Sequence, residues 1–165
     1  MLRLVPVFLL IVFSFAASAF AATVERIDVV DAGTYRIETG DKTQEANTPT
    51  GEITAVDNSV LVEATDTIVA SPGAEFGFRY VVIGEPAGGE VELDFVITYP
   101  ATGLTDPATG TTLHESRYSA AKTIGKREYL GYGLESDWEA VPGEWRFEIW
   151  HDGRMLAKHA FTLTK

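Results

Sequence analysis

The chain has 165 residues, 13 Lys and Arg against 24 Asp and Glu, a formal net charge of −11 and no cysteine. Its length suits one domain of ordinary size, and its charge argues against a generic nucleic-acid binder, which needs a basic surface for phosphates. The missing cysteines exclude a disulfide scaffold, a thiolate nucleophile and every cysteine-based zinc or iron–sulfur site.

The first residues read as an export address. Met1-Leu2-Arg3 carries one positive charge, Leu4 to Phe15 is apolar apart from Pro6 and Ser14, and Ala16 to Ala22 is small-residue sequence around Phe20. Ala19-Phe20-Ala21 has the small-x-small form of a signal-peptidase site, and Ala17-Ser18-Ala19 is a second candidate. This order marks residues 1–21 as a secretory signal peptide. A membrane-spanning helix needs about 20 apolar residues, and this run reaches that length only by including its small-residue tail. The expectation is a periplasmic or secreted protein with no stable membrane insertion after cleavage. Residues 22–165, without Arg3, hold 12 basic and 24 acidic residues. A chain of that size buries roughly two-thirds of its unfolded surface, so one domain can be stable without disulfides.

The mature chain reads as strands separated by turns. Val24 to Val30 and Thr34 to Glu38 flank Asp31-Ala32-Gly33, which reads as a turn, and Gly40 to Thr50 reads as polar loop. Ser59 to Ala64 and Thr67 to Ala70 are short strand candidates, followed by a Pro72-Gly73 turn. Phe76, Phe78, Tyr80 and Val82 alternate with Gly77, Arg79, Val81 and Ile83. Val91, Leu93, Phe95, Ile97 and Tyr99 alternate with Glu90, Glu92, Asp94, Val96 and Thr98. Period two over such lengths marks strands with one buried face, and the Gly84 to Gly89 link between them reads as a hairpin loop. Ala101 to Lys126 reads as a long loop, with a turn at Thr105 to Gly110 and room for one helical turn at Ser119 to Lys122; loops of that length are often functional or mobile. Glu128 to Leu134 reads as a strand.

Pro142-Gly143 opens a terminal hairpin in which Trp145, Phe147 and Ile149 alternate with Arg146, Glu148 and Trp150. A two-residue Asp152-Gly153 loop sets Phe147 opposite Lys158. A three-residue loop, His151 to Gly153, sets Ile149 by Met155 and Phe147 by Ala157, and puts Phe161 and Leu163 on the apolar face. One residue of slip inverts the face, so the apolar pattern favours the longer loop. About seven to nine short strands without an amphipathic helix make an all-β antiparallel sandwich.

The segment Trp138 to Ile149, with its Pro142-Gly143-Glu144-Trp145 core, followed by Asp152-Gly153 and Lys158 to Leu163, resembles an Ig-like terminal hairpin and is similar to the bacterial domain of unknown function 3859 family. Val29 to Tyr35 and the turn Asp106-Pro107-Ala108-Thr109-Gly110 fit that family too; Ala32-Gly33 stands where the family often has Tyr-Gly. The resemblance implies an Ig-like β-sandwich over nearly the whole mature chain. It implies no activity, so it assigns no catalytic residue.

Motifs for chemistry are sparse. His114, His151 and His159 show no His-x-His or His-x-x-x-His spacing, and a lone histidine chelates poorly. There is no Gly-x-Ser-x-Gly elbow and no Asp-x-Asp-x-Asp-Gly calcium loop. No catalytic residue, metal site or cofactor is expected. His114, Arg117, Lys122, Lys126 and Arg127 form a basic cluster, expected to pair with the acidic N-terminal half, where residues 22–75 hold eleven acids and three bases. Aromatics with polar tips favour interfaces, which makes Trp138, Trp150 and Tyr118, with Arg117, the candidate contact residues. The sequence reading is a non-catalytic binding or accessory module that meets an envelope protein partner through end loops or an exposed sheet edge. The competing reading is a small-ligand binder, with a sugar on Trp138 and Trp150 or calcium on acidic loops. Oligomeric state stays open.

Overall fold

The computed structural model describes residues 22–165; the expected signal peptide lies outside the described residues. Eleven strands run in chain order: β1 Thr23–Gln44, β2 Glu52–Glu63, β3 Thr67–Val69, β4 Glu75–Glu85, β5 Glu90–Thr98, β6 Leu104–Thr105, β7 Thr112–Leu113, β8 Glu115–Thr123, β9 Arg127–Gly133, β10 Gly143–His151 and β11 Arg154–Thr164. One sheet has the order β2-β1-β4-β9, the other β3-β11-β10-β5-β8, and β6-β7 form a small separate pair. No helix among the described residues is long and apolar enough to cross a membrane.

The alternating residues of β4, β5 and β10 supply the layer between the sheets. Phe76, Phe78, Tyr80 and Val82 face Leu93, Phe95, Ile97, Trp145, Phe147 and Ile149, all in one buried cluster. Burying each large apolar side chain is worth about 1.5–3 kcal/mol. Phe76 stands edge-on to Trp145, Phe147 and Phe161 at centroid separations of 5.5, 5.6 and 5.4 Å, the arrangement that ring quadrupoles favour.

Several local expectations change in three dimensions. Asp31-Ala32-Gly33 is not a turn: β1 continues through it, pairing with β4 from Thr23 to Thr34 and with β2 from Thr34 to Gln44. Irregularities between Val29 and Asp31 and between Thr34 and Tyr35 absorb the bend where the strand changes partner. Gly33 sits at that change, and a Cβ there would lie 1.9 Å from the Glu63 carbonyl oxygen. Gly40 to Gln44 of the expected Gly40 to Thr50 loop is likewise strand, which leaves the turn to Glu45 to Thr50. Beyond Thr34, β1 and β2 form a two-stranded ribbon that runs past the end of β4.

Gly84 to Gly89 does not close a hairpin. β4 and β5 belong to different sheets and bury their apolar faces against each other across the core instead of pairing side by side. The long loop expected over Ala101 to Lys126 contains β6, β7 and β8, and Ser119 to Lys122 is strand rather than helix.

In the terminal hairpin His151 pairs with Arg154 around a two-residue Asp152-Gly153 loop. Both loop residues have left-handed φ values, 48° and 73°, the primed-turn geometry that an Asp-Gly pair supports. Trp150 then pairs with Met155 but Ile149 with Ala157, so Leu156 is an extra residue in β11. This bulge, not a longer loop, restores the phase, placing Phe147 opposite His159 and Trp145 opposite Phe161.

Candidate functional site

β8 and β9 are edge strands of opposite sheets, and the sandwich is open between them. The β1–β2 ribbon overhangs this opening and encloses a groove of about 500 Å³. Its walls are Tyr118 and Ala120 on β8, Tyr129 and Tyr132 on β9, and ribbon residues including Ile37 and Thr54. The inward positions of β8 are Ser116, Tyr118, Ala120 and Lys122, opposite Ile97, Phe95, Leu93 and Val91 in the register with β5. They are small or amphipathic, which suits an edge that lines a cleft.

The groove is acidic: two lysines, Lys42 and Lys122, face six glutamates, at 45, 52, 75, 128, 135 and 139. Four of the six are held by close partners, the first being Glu45, whose Oε1 accepts from the Asn47 N–H at 3.2 Å. Glu52 pairs with Lys42 at 3.2 Å and Glu128 with Lys122 at 3.4 Å. Glu139, 1% exposed, accepts hydrogen bonds from the Tyr132 hydroxyl at 2.8 Å and from the backbone N–H groups of Glu135 and Ser136 at 3.0 and 2.8 Å. It fixes the turn after β9 and needs no further partner.

Glu75 is different. At the start of β4, it borders both the groove and a shallower hollow beside Tyr35 and Arg36. The Tyr129 hydroxyl donates to its Oε1 at 2.7 Å. Burial pushes the carboxyl up to about 7; the Tyr129 hydrogen bond opposes that rise and the negative charge of Glu135 adds to it. Glycines make room for the pair. A Cβ at Gly131 would lie 2.0 Å from the Tyr129 hydroxyl, and one at Gly133 2.5 Å from Glu75 Oε2. Glycine inside a strand often marks such a close approach.

A second network anchors the ribbon beside this pair. Arg79 Nε donates to Asp31 Oδ1 at 2.8 Å, its other fork nitrogen reaches Oδ2, and the Tyr35 hydroxyl donates to Oδ1 at 2.6 Å. The Arg79 hydrogen bond is the main cause holding the Asp31 carboxyl below its usual range. The Tyr35 ring meets Tyr129 edge-on at 4.9 Å, joining the network to the Glu75 pair.

The four residues singled out from the sequence do not meet on one surface. Tyr118 lines the groove and stacks on Phe95 at 5.2 Å. Arg117 points to the opposite face of β8, 3.7 Å from Glu115. Trp150 lies in β10 with its Nε1 donating to Glu148 at 2.9 Å, and Trp138 sits in the turn after β9, packed against the core. Neither tryptophan lines either hollow. The basic cluster pairs locally rather than with the N-terminal half: Lys122 and Lys126 both reach Glu128 at 3.4 Å. His151 contacts the Glu92 carbonyl oxygen and His159 contacts Asp66, and no group of three metal-ligating side chains occurs among the described residues.

None of Glu75, Tyr129, Asp31 and Arg79 is among the site residues read from the sequence. Two signals were present: Arg79 in an otherwise apolar strand, and Gly77 and Gly131 in strand interiors. Neither says which side chains meet there.

An immunoglobulin-like protein from Pseudomonas aeruginosa has a similar structure, with a TM-score of 0.58, 18% identity, and coverage of 90% of this chain and 100% of that one. At that identity the structural likeness shows a shared Ig-like fold and nothing more. The alkylpurine DNA glycosylase AlkC of Pseudomonas fluorescens aligns over 61% of this chain and 28% of its own, at 15% identity and a TM-score of 0.41, too low to support an argument. No curated protein matches the sequence. The model of the domain of unknown function DUF3859 matches residues 23–163, so an Ig-like β-sandwich with an overhanging ribbon is the form this chain takes as a member of the DUF3859 family.

Proposed function

We propose that this chain is an exported, non-catalytic binding module that takes an extended segment of a partner polypeptide into the groove between β8 and β9. The observation that carries the reading is the groove itself: two strand edges with unpaired backbone on either side of a cleft lined by three phenols. Free strand edges accept an added strand through main-chain hydrogen bonds, and tyrosines supply contact area with a polar tip. The excess of glutamate favours a partner segment with basic residues. A small ligand is the second reading, favoured by a cavity volume within the range of small-molecule sites.

A photo-crosslinking residue in place of Thr54, on the ribbon wall, tests the first reading in cells, with one in place of Lys158 on β11 as control. The expected result is a covalent polypeptide adduct at position 54, absent at 158, and lost when Ala120→Arg fills the groove of a domain that circular dichroism shows to be still folded. An adduct indifferent to Ala120→Arg, or none at 54, overturns it. A glycan panel that raises the melting temperature while no adduct forms supports the small-ligand reading.

A further inference from the structure

Within that groove, we propose that Glu75, positioned by Tyr129, forms a subsite for one cationic side chain, arginine or lysine, of the bound segment. The inference rests on the groove reading and specifies its chemistry. Glu75 is a partly buried carboxylate with one oxygen committed: Oε1 accepts from Tyr129, while Oε2 accepts nothing from the described residues. Gly133 lets Oε2 lie close against the β9 backbone, where a Cβ would intrude to 2.5 Å, and Gly131 leaves the space that lets the Tyr129 hydroxyl reach its partner. Tyr35, which borders the same hollow, is buried and already has Arg79 over its ring at 5.8 Å, so the attraction for a cation comes from the carboxylate.

None of the protein's own cations near the site pairs with Glu75: Arg36 of the ribbon borders the shallower hollow with it but forms no ion pair among the described residues. Arg79, on the same strand, is forked onto Asp31. Lys42 of the ribbon is paired with Glu52, and Lys122 of β8 with Glu128. The charged neighbour that acts on Glu75, Glu135 after β9, is negative and disfavours its ionisation. The site therefore presents a carboxylate that burial makes reluctant to ionise and that no resident cation neutralises. An incoming guanidinium provides the missing charge and satisfies Oε2 through a charge-assisted hydrogen bond.

A proton is linked to this event. With Glu75 poised at about 7, a cation that binds only the carboxylate form must displace the proton. The fraction available rises about tenfold between pH 6 and pH 8, and affinity rises with it.

The test selects from a displayed library of random heptapeptides against the full exported domain, with Ala120→Arg as counter-selection. The expected outcome is enrichment of sequences with arginine or lysine fixed at one position. Calorimetry on a selected peptide should show about tenfold tighter binding at pH 8 than at pH 6, with proton release. Glu75→Gln, which keeps an acceptor for Tyr129, should fold normally, lose the basic preference and flatten the pH profile. Enrichment without a basic position, or the same basic preference and pH slope in Glu75→Gln, overturns the cation subsite and leaves the groove reading standing. Failure to enrich any sequence over the Ala120→Arg counter-selection defeats both.

Discussion

Asp31 shows how one side chain can override a local signal. In sequence it heads Asp31-Ala32-Gly33, a composition that favours turns. In the fold its carboxylate is held by the Arg79 fork and the Tyr35 hydroxyl, and the backbone runs on as strand. Both partners are far from fully exposed, with side-chain exposures of 18% for Arg79 and 21% for Asp31, so the pair is shielded better than a surface bridge. Its folded-state acidity lies below the ordinary aspartate value. The stability it adds is therefore complete at neutral pH and fades as pH falls below about 4, where the unfolded chain takes up protons first. Asp31→Asn should cost about 1–3 kcal/mol at pH 7, with a gap to the parent protein that narrows below about pH 4. Urea melts at pH 7 and pH 3 check this; a gap that stays constant with pH would show that the ion pair is not its source.

At the scale of the element, the ribbon is the distinctive part. None of Arg36 to Glu63 belongs to the buried core or packs against it as a partly buried apolar side chain, and Val60 and Val62 are 49% and 61% exposed. Its ladder is the one between β1 and β2, and Arg79 Nη1 ties it to the sandwich near its base by donating to the Ser59 carbonyl oxygen at 3.2 Å. An isolated two-stranded ribbon is only marginally stable, so it should open locally at little cost while the sandwich stays folded. Amide exchange should be fast from Lys42 through Ile53 and slow, near the global limit, in Val91 to Ile97 and Trp145 to Ile149. Equal protection in the two regions would contradict a ribbon that overhangs the groove freely. The terminal hairpin makes a related point. The apolar pattern of Trp145, Phe147 and Ile149 against Phe161 and Leu163 demands one extra residue between the strands. Where it goes, loop or strand, is set by Asp152-Gly153, which closes a tight turn and leaves Leu156 as the bulge.

For the whole molecule, both sheets share one layer of rings. Trp145 has no exposed surface, lies 5.0 Å from the rings of Tyr99 and Tyr132, and donates from Nε1 to the Val141 carbonyl oxygen at 3.0 Å. Because Phe76 and Tyr132 belong to one sheet and Tyr99 follows β5 of the other, Trp145→Ala should loosen both sheets together. The expected loss is about 3–5 kcal/mol, seen as one transition by far-ultraviolet circular dichroism and by near-ultraviolet aromatic signals. Two separate transitions would mean that the sheets do not share a core.

The amino-acid order alone determined the all-β class, the buried faces of β4, β5 and β10, and the parity of the last hairpin. Those features follow from period-two alternation, which reports the burial of one face and needs no knowledge of the partner strand. Only the tertiary structure decided that β4 and β5 face each other across the core, that β1 is one strand with two partners, and that Glu115 to Thr123 is an edge strand. Strand partners are chosen by contacts between distant segments, and an edge with a half-polar inner face carries little alternation to read. The groove is legible least of all, because Glu75, Tyr118 and Tyr129 come from three strands and acquire a common environment only when the sandwich closes around them.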